Sequence, residues 1–302
     1  MEILSYPQKA EKPTAVALGF FDGVHMAHRQ IIGLAVSQKD MGLTPAVFTF
    51  AELPQKSPTG LLTDNSEKQG IFKNLGVELL CLCDFDAVKT FTPREFVEKV
   101  LSNTLHAEAV VCGYNFRFGK EAKGDTETLK ALCKEFGIKL FVLDEVFSGN
   151  TQVSSSNIKK LLKDGELKEA NRLLKEDYSF EGKVIHGKKI GRKMGKPTLN
   201  IELCPQKFLP RFGVYACEVS LSGTLYKAVA NIGVKPTVTG ENIPTLEAFL
   251  IDAEGDFYGD TARVSLVEFL RDEKKFESIA ELQKTIEADT EKAKEILKNS
   301  SF

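Results

Sequence analysis

The sequence predicts an α/β domain with a doubly wound parallel sheet, followed by a small antiparallel β-barrel domain that ends in a helix. Up to about residue 143, continuous apolar runs alternate with helical patterns, which is typical of a parallel sheet covered on both faces. From Tyr178 onward, short strand-like runs with glycine turns indicate a small barrel. The length of 302 residues favours two domains, which we place at residues 1–176 and 177–302.

The first domain alternates strand-like and helical segments. Strands are predicted at residues 15–18, 46–50, 77–82, 109–112 and 138–143, and helices near residues 28–41, 67–75, 93–105 and 126–136. Thr92 to Glu95 is a capping box with proline at the first helical position. Gly42, Gly76 and Gly137 each follow a predicted helix, at the position where a left-handed backbone conformation commonly ends the helix. Ligands of such sheets bind beyond the carboxyl ends of the strands.

Residues 17–32, ALGFFDGVHMAHRQII, contain a buried strand, an Asp-Gly turn and the start of a helix. A helix N-terminus offers free N–H groups and a partial positive charge, which suit a phosphate. His25 and His28 lie on one face of its opening turn and can donate to phosphate oxygens. The alternative is that His25 is a loop residue and His28 a helix cap. We assign to ligand binding, with the two histidines, the turn residues Gly19, Phe21, Asp22 and Gly23.

Two later stretches of the first domain carry further candidates. Residues 113–125, GYNFRFGKEAKGD, follow the fourth strand and predict a mobile basic loop, with Asn115 and Arg117, that closes over a phosphate-bearing ligand. An ordinary solvated loop would not need two phenylalanines flanking an arginine. Ser155, Ser156 and Lys159 open another helix, where they can bind an anion; capping alone accounts for one serine.

The second domain is predicted to contain strands at residues 180–186, 214–219, 225–232, 246–251 and 262–270. A second capping box, Ser278 to Glu281, opens the final helix. Its apolar stripe indicates core packing and consists of Ile279, Leu282, Ile286, Ala293 and Ile296.

Residues 186–201, HGKKIGRKMGKPTLNI, combine glycines with basic residues and suit a triphosphate, although the spacing is not that of a P-loop. Thr198 and Asn200 face the same way on an extended chain and can share one Mg²⁺ ion. The alternative is a basic surface hairpin. Glu247 lies among apolar neighbours, and the residue by itself favours the polar face of an alternating strand over a general base.

Composition limits the partners. A net charge of −2 gives no support for a broad nucleic-acid or membrane surface. Residues 1–14 lack an apolar signal-peptide core and no later run approaches a membrane span, so we expect a cytoplasmic protein with small-molecule partners. The oligomeric state stays open, a weak homo-oligomer included. We expect buried free thiols rather than zinc ligands or disulfides at Cys81, Cys83, Cys112, Cys133, Cys204 and Cys217.

The three stretches of the first domain, in this order, resemble the adenylyltransferase module of prokaryotic bifunctional riboflavin kinase/FAD synthetases, a nucleotidyltransferase with an H-x-G-H signature. The resemblance implies adenylyl transfer from ATP to FMN with release of pyrophosphate. It implies that His25 and His28 steady the phosphates and the charge on the leaving group. Asn115 and Arg117 would line the flavin side, while Ser155, Ser156 and Lys159 would hold the ATP phosphates.

Three positions depart from that pattern. Ala27 replaces the glycine of the histidine signature, so its methyl group can crowd the adenine. Lys159 replaces an arginine and loses the bidentate fork. Residues 49–54 read TFAELP, where the family usually has a histidine before the proline. One alternative is therefore a kinase whose adenylyltransferase domain is weakened or inactive.

The second half resembles the riboflavin kinase module of the same family through GKPTLN, LPRFGVYACEV, ANIGVKPTV, LEAFLIDAEGDFYG and FLRDEKKFES. The resemblance places the magnesium and phosphate residues on Thr198 and Asn200, the catalytic base on Glu247 and an arginine near the flavin on Arg271. The basic loop would bind ATP through Gly187, Lys188, Gly191, Gly195 and Pro197. The implied enzyme converts riboflavin to FMN and FMN to FAD with ATP and Mg²⁺; the other alternative is a non-catalytic flavin- or nucleotide-binding regulator.

Overall fold

The computed structural model describes residues 1–51, 60–186, 198–236, 242–253 and 255–298. The chain divides into two compact units, Met1–Ser155 and Ser156–Phe302. The division falls earlier than the domain boundary near Asp177, which stays a prediction.

The first unit is built on one parallel sheet. Its strands are β1 (Glu2–Ser5), β2 (Thr14–Leu18), β3 (Thr44–Phe50), β4 (Leu79–Cys83), β5 (Ala107–Gly113) and β6 (Lys139–Leu143). Their spatial order is β1-β4-β3-β2-β5-β6, and each neighbouring pair runs parallel. The sequence did not indicate β1, because only Leu4 in it is buried and no apolar run marks the strand.

Helices cover both faces of this sheet. They are α1 (Met26–Ser37), α2 (Asn65–Asn74), α3 (Phe85–Val88), α4 (Pro93–Glu95) and α5 (Thr126–Glu135), and a hairpin of β7 (Phe147–Ser148) and β8 (Thr151–Gln152) follows. All five residues of β2 are buried, with Val16 and Leu18 in one apolar cluster and Ala15 and Ala17 in the other. Two separate cores on the two faces confirm the doubly wound parallel sheet.

Local sequence signals mark the helix ends correctly. Thr92 accepts the Glu95 N–H, and the Glu95 carboxylate accepts the Thr92 N–H, so the capping box is complete. The helix predicted over 93–105 is longer than α4 because it continues as a π-helix, Phe96–Ser102. Helix α1 likewise continues as a 3-10 turn, Gln38–Met41.

The second unit contains a closed antiparallel barrel. Its elements are α6 (Ser155–Asp164, which begins at the last residue of the first unit), α7 (Leu167–Leu174), β9 (Tyr178–Ile185), β10 (Thr198–Ile201), β11 (Gly213–Leu221), β12 (Thr224–Pro236), β13 (Asn242–Leu250), β14 (Thr261–Arg271) and α8 (Ile279–Lys298). The strands close in the order β10-β13-β12-β11-β14-β9. This confirms the predicted barrel and its C-terminal helix, and it makes residues 198–201 a full barrel strand.

Helix α8 packs on the outside of the barrel. Ala293 and Leu297 are buried in a cluster with Val214, Ala216 and Val229. At its start, the Ser278 hydroxyl accepts the Glu281 N–H, but the Glu281 carboxylate accepts the N–H of Glu277. The predicted capping box is therefore only half formed.

The six cysteines are free thiols, and all but the half-buried Cys204 are buried. Burial raises the pKa of the Cys81 and Cys112 thiols to about 12. This confirms the expected buried thiols at every position except Cys204, and the buried ones stay protonated at neutral pH.

An ion pair ties α8 to the barrel. The Arg271 guanidinium donates to the Asp289 carboxylate with an Nη2–Oδ2 distance of 2.8 Å and an Nε–Oδ2 distance of 3.0 Å. The two side chains are only 27% and 10% exposed. Removing one partner would therefore leave a poorly solvated charge.

We expect Asp289→Asn to lower the free energy of unfolding by roughly 2–3 kcal/mol, because the Arg271 charge loses its partner in a partly buried place. Asp272→Asn is the matched control, since Asp272 pairs with Arg211 at 2.7 Å but is 62% exposed. That change should cost at most about 1 kcal/mol. Urea unfolding followed by circular dichroism measures both, and equal losses in the two variants would contradict the prediction.

Candidate active sites

The turn between β2 and α1 is sharp and partly left-handed. Phe21 and Val24 have φ of 56° and 37°, and the Val24 N–H donates to the Phe21 carbonyl at 3.2 Å. The Phe21 ring folds back over Gly19, where a Cβ atom would lie 2.8 Å from the ring. Only glycine fits there without displacing the ring. Phe21 itself is 1% exposed and packs in the core, and its assignment to ligand binding stays a prediction.

Asp22 fastens this turn to the segment before α2. Its carboxylate accepts the N–H groups of Leu62 at 2.7 Å and Thr63 at 3.4 Å. The Gly23 N–H donates to the Thr63 hydroxyl at 3.0 Å. The Ser155 hydroxyl donates to the Asp22 carbonyl at 2.8 Å, which brings the start of α6 to the turn. The Asp22 side chain, which we assigned to ligand binding, therefore also holds the backbone of this turn in place.

The two histidines stack on each other at the start of α1. Their ring centroids lie 3.6 Å apart with an angle of 16° between the planes, and the Phe21 ring packs edge-on against His28. His25 is the N-cap, since its Nδ1 accepts the His28 N–H at 3.4 Å. The alternative that made His28 the cap is therefore wrong. Because Nδ1 of His25 is an acceptor, its proton lies on Nε2 and is available to a ligand.

Both histidines are neutral at pH 7. Burial lowers the pKa of His25 to about 4, although the nearby Asp22 opposes the change. Burial also lowers the pKa of His28 well below its usual value, and repulsion from His25 and Lys68 adds to this effect. Nδ1 of His28 is buried without a hydrogen-bond partner among the described residues. The pair can thus offer N–H groups to a phosphate without itself carrying positive charge.

Three polar residues at this turn were missed in the sequence. Lys68 on α2 is 2% exposed, and its Nζ donates to the Phe20 carbonyl at 3.1 Å. The Thr49 hydroxyl donates to the same carbonyl at 3.1 Å, while Thr63 binds the turn as described above. The capping box of Asp64 and Glu67 marks the start of α2. No sequence signal separates Lys68 from a solvent-exposed lysine.

Residues 113–125 form a loop that packing and backbone hydrogen bonds anchor to the rest of the unit, and its closure over a ligand stays a prediction. Phe118 is 6% exposed and pairs with Gly124 through two backbone hydrogen bonds of 3.1 and 2.9 Å. The Phe116 and Phe118 rings stack 5.7 Å apart, so packing explains the two phenylalanines. Asn115 and Arg117 are exposed just beyond the carboxyl end of β5, the neighbour of β2 in the sheet. They therefore lie at the same sheet edge as the histidines.

The remaining candidates of the first site are placed separately. Ser156 is exposed and Lys159 half-buried on α6, both in the second unit. The Lys159 Nζ lies 5.8 Å from the centroid of the Phe208 ring. Ala27 is half-buried in the first turn of α1, while Glu52 to Pro54 of the TFAELP stretch lie outside the described residues.

In the second unit, strand register aligns three polar residues across the barrel. Asn200 on β10 lies directly opposite Glu247 on β13, and Glu247 lies opposite Asn231 on β12. Side chains at such positions have Cβ atoms about 4.5–5.5 Å apart. Glu247 is half-buried between the buried Leu246 and Ala248, so it points away from the barrel interior. Asn231 was missed in the sequence.

Thr198 lies on the same face of β10 as Asn200, since Leu199 between them is buried. The outer face thus presents a hydroxyl, an amide and a carboxylate together. Asn231 donates through Nδ2 to the Glu273 carboxylate at 3.2 Å, which brings the segment after β14 to this face. This arrangement provides oxygen ligands and a base, which phosphoryl transfer requires.

The other candidate residues of this unit are those of the basic loop and Arg271. Gly187, Lys188, Gly191, Gly195 and Pro197 lie outside the described residues. Arg271 donates through Nε and Nη2 to Asp289 and through Nη1 to the Asp272 carbonyl at 3.0 Å. These contacts use three of its donor groups, and its place near the flavin stays a prediction.

Among the described residues, no helix has the length and apolar character needed to cross a membrane.

Comparisons with known proteins address both units. The family model described as FAD synthetase matches residues 7–157, and the one described as riboflavin kinase matches residues 174–297. The bifunctional riboflavin kinase/FMN adenylyltransferase of Bacillus subtilis (strain 168) is 33% identical over 302 residues, with 95% of this chain and 93% of the relative covered. The protein of the same name from Haemophilus influenzae is 34% identical over 295 residues, with 93% of each covered.

A solved structure gives the same fold. The crystal structure named Macrolide-efflux Protein from Streptococcus pneumoniae aligns with a TM-score of 0.88 and 28% identity, and the alignment covers 100% of both chains. The fold of the whole chain is therefore one already seen in a crystal structure.

We expect the stability of the first unit to fall as the pH drops from about 6.5 toward 4. The unfolded chain takes up a proton on His25 near its ordinary pKa of about 6.5, whereas the folded chain does so only near pH 4. His25→Asn keeps an N-cap acceptor but does not titrate, so its loss of stability over this range should be smaller. Urea unfolding at pH 7.5, 6 and 5 measures the difference.

The control for this experiment is His106→Asn, which removes a histidine outside the site at a position with φ of 46° that asparagine tolerates. An unchanged pH dependence in His25→Asn would contradict the neutral, buried state of His25.

Proposed function

The chain belongs to the bifunctional riboflavin kinase/FMN adenylyltransferase family, and from this premise we propose how its own residues perform the two reactions. It is a transferase that phosphorylates riboflavin to FMN and adenylylates FMN to FAD, with ATP as the donor in both steps. The observation that carries this assignment is that each of the two family matches covers a separate group of polar residues. The FAD synthetase match covers the stacked histidines, and the riboflavin kinase match covers Asn200 and Glu247.

In the kinase half, Glu247 is the general base. It takes the proton from the ribityl hydroxyl as that oxygen forms a bond to the γ-phosphorus of ATP and the bond to the β-phosphate oxygen breaks. The half-buried position of Glu247 among apolar neighbours, opposite Asn200, supports this role. We assign Arg271 to the flavin side, with its guanidinium held by the ion pair with Asp289.

Thr198 and Asn200 would hold Mg²⁺. Their hydroxyl and amide oxygens, beside the Glu247 carboxylate, fit an ion that binds few protein oxygens together with nucleotide phosphates. When bound, Mg²⁺ supplies neutralisation of the phosphate charge. We assign the ATP phosphates also to the basic loop, with Gly187, Lys188, Gly191, Gly195 and Pro197.

In the adenylyltransferase half, the FMN phosphate attacks the α-phosphorus of ATP and pyrophosphate leaves. The N-terminus of α1 and the neutral imidazoles of His25 and His28 donate hydrogen bonds to the phosphates. Gly19 and Gly23 let the chain pass close to the nucleotide, and Asp22 holds the turn. Such transfer depends on positioning and charge stabilisation rather than on a nucleophilic side chain.

The flavin and phosphate contacts complete this half. Asn115 and Arg117 line the FMN side, since they lie at the same sheet edge as the histidines. Ser155, Ser156 and Lys159 bind the ATP phosphates, and the contact of Ser155 with Asp22 supports the first of these assignments. We keep the domain boundary near Asp177, directly before the first barrel strand begins at Tyr178 and close to the start of the riboflavin kinase match at residue 174.

The cellular setting follows from the substrates. We place the enzyme in the cytoplasm, where ATP is available. Its partners are riboflavin, FMN and ATP, without nucleic acid or membrane, and the oligomeric state stays open, a weak homo-oligomer included.

We expect Glu247→Gln to reduce FMN formation by about 10²–10⁴-fold, because glutamine keeps the shape but cannot accept the proton. FAD formation from added FMN should continue at the wild-type rate. The matched control is Glu181→Gln, which removes an exposed carboxylate from β9 of the same barrel. Chromatographic separation of flavins after adding riboflavin, ATP and Mg²⁺ measures both products; undiminished FMN formation by Glu247→Gln would exclude the proposed base.

We expect His28→Asn to lower the other activity. FAD formation from FMN should fall by about 10²-fold or more, while FMN formation from riboflavin persists. The reason is that a donor to the phosphates is lost at α1 while the barrel is unchanged. The same separation of flavins, now starting from FMN and ATP, measures it. If the unaltered protein makes FMN but no FAD, the alternative of a kinase with an inactive adenylyltransferase domain replaces this proposal.

A further inference from the structure

Gly233 on β12 is a glycine whose backbone conformation does not require glycine. It lies two residues after Asn231 and opposite Thr245 on β13, and its φ is not positive. Other residues can therefore adopt this backbone, and glycine weakens the interior of a strand. Gly233 is nevertheless buried. A glycine in such a place indicates that another group approaches the strand closely.

The group that approaches Gly233 is the carboxylate of Glu273. A Cβ atom at position 233 would lie 2.7 Å from the carboxyl carbon of Glu273 and 2.8 Å from its Oε2, which is too close for a carbon atom. The same carboxylate accepts the Nδ2–H of Asn231 with a distance of 3.2 Å to Oε1. The missing side chain thus leaves the space in which Glu273 reaches Asn231 on the outer face of the barrel.

The segment after β14 holds Glu273 in this place. Arg271, two residues earlier, pairs with Asp289 on α8 at 2.8 Å. Lys274, the next residue, pairs with Glu281 in the first turn of the same helix at 2.6 Å. Residues on both sides of Glu273 are therefore tied to α8, while Glu273 itself contacts the barrel.

Glu273 reaches the barrel in the row of residues that contains the proposed base. Asn231 lies directly opposite Glu247, so their Cβ atoms are about 4.5–5.5 Å apart. An asparagine amide has two N–H groups and one carbonyl oxygen. Because one N–H is bound by Glu273, the amide cannot flip or turn away without losing this hydrogen bond. The orientation of the amide beside Glu247 is thus set from outside the strands that carry the two residues.

We propose that Glu273 is a positioning residue for the kinase reaction, which holds the Asn231 amide beside Glu247, and that residue 233 is glycine to make room for it. This inference rests on the kinase reaction proposed above, with Glu247 as the base. A general base must lie within hydrogen-bond reach of the hydroxyl whose proton it takes. A displacement of about 1 Å can reduce the rate by about 10²-fold.

The test moves the Glu273 carboxylate in two independent ways. Glu273→Ala removes it. Gly233→Ala displaces it, because the new methyl group meets the end of a flexible side chain rather than the backbone. Glu273→Gln is the conservative variant, which keeps an oxygen that accepts the Asn231 N–H. The matched control is Glu277→Ala, which removes an exposed carboxylate from the same segment.

For each protein, kcat for FMN formation and KM for riboflavin are measured with ATP and Mg²⁺, and the urea midpoint from circular dichroism reports folding. We expect Glu273→Ala and Gly233→Ala each to lower kcat at least about tenfold, with KM within about threefold, because positioning acts on the chemical step. Glu273→Gln should keep most of the wild-type kcat, and Glu277→Ala should keep all of it. The urea midpoints should stay at the wild-type value.

Two double variants test the connections. In the Glu273→Ala protein, Gly233→Ala should change kcat by less than about twofold, since the methyl group then meets no carboxylate. In the Glu247→Gln protein, Glu273→Ala should likewise leave the residual rate within about twofold, because a residue that acts through the base has no effect once the base is gone.

Several results would overturn the inference. A folded Glu273→Ala protein with wild-type kcat is one, and a kcat that falls only together with the urea midpoint is another, since the role would then be structural. Full additivity in either double variant also contradicts it. If Gly233→Ala does not fold, Glu273→Ala and Glu273→Gln decide, and equal kcat values in these two exclude a role through the hydrogen bond.

Failure of the proposed function gives a different result. No FMN formation by the unaltered protein, or undiminished FMN formation by Glu247→Gln, would refute the proposed kinase reaction or its base before any Glu273 variant is compared.

Discussion

The carboxylate of Asp22 is the interaction on which the first site depends. It accepts two backbone N–H groups from residues about 40 positions later in the chain, and the backbone carbonyl of Asp22 accepts the Ser155 hydroxyl 133 positions later. Buried backbone donors must find partners, so the Asp22 side chain joins the turn to the segment before α2, while its backbone carbonyl joins the turn to Ser155. The left-handed residues on either side, Phe21 and Val24, are tolerated because this surrounding network holds them.

The second site depends on register rather than on a turn. In a closed barrel every strand has two fixed neighbours, so residues far apart in the chain face each other at set positions. This constraint aligns Asn200, Glu247 and Asn231 across β10, β13 and β12. A slip of one residue would turn Glu247 into the apolar interior, where Leu246 and Ala248 now lie. Burial of the barrel core therefore sets the position of the carboxylate that we propose as the base.

The two sites handle phosphate charge in different ways. In the proposed kinase site, oxygen ligands suited to a metal ion lie beside a carboxylate base. The proposed adenylyltransferase site uses helix N–H groups and neutral imidazoles. Burial explains this difference, since a half-buried strand face stays accessible to hydrated ions, whereas a buried turn favours neutral donors.

The sequence by itself determined the elements and the motif residues of this protein. Apolar runs, helix caps such as Thr92 with Glu95, and the spacing of His25 and His28 are local patterns, and local patterns follow from neighbours in the chain. Only the tertiary structure decided that Lys68 is buried, 48 residues from the carbonyl it binds, and that Asn231 faces Glu247. It also decided that Arg271 pairs with Asp289 on the C-terminal helix. Those outcomes depend on contacts between distant segments, and a charged or polar side chain leaves no periodic signal that shows which partner it will meet.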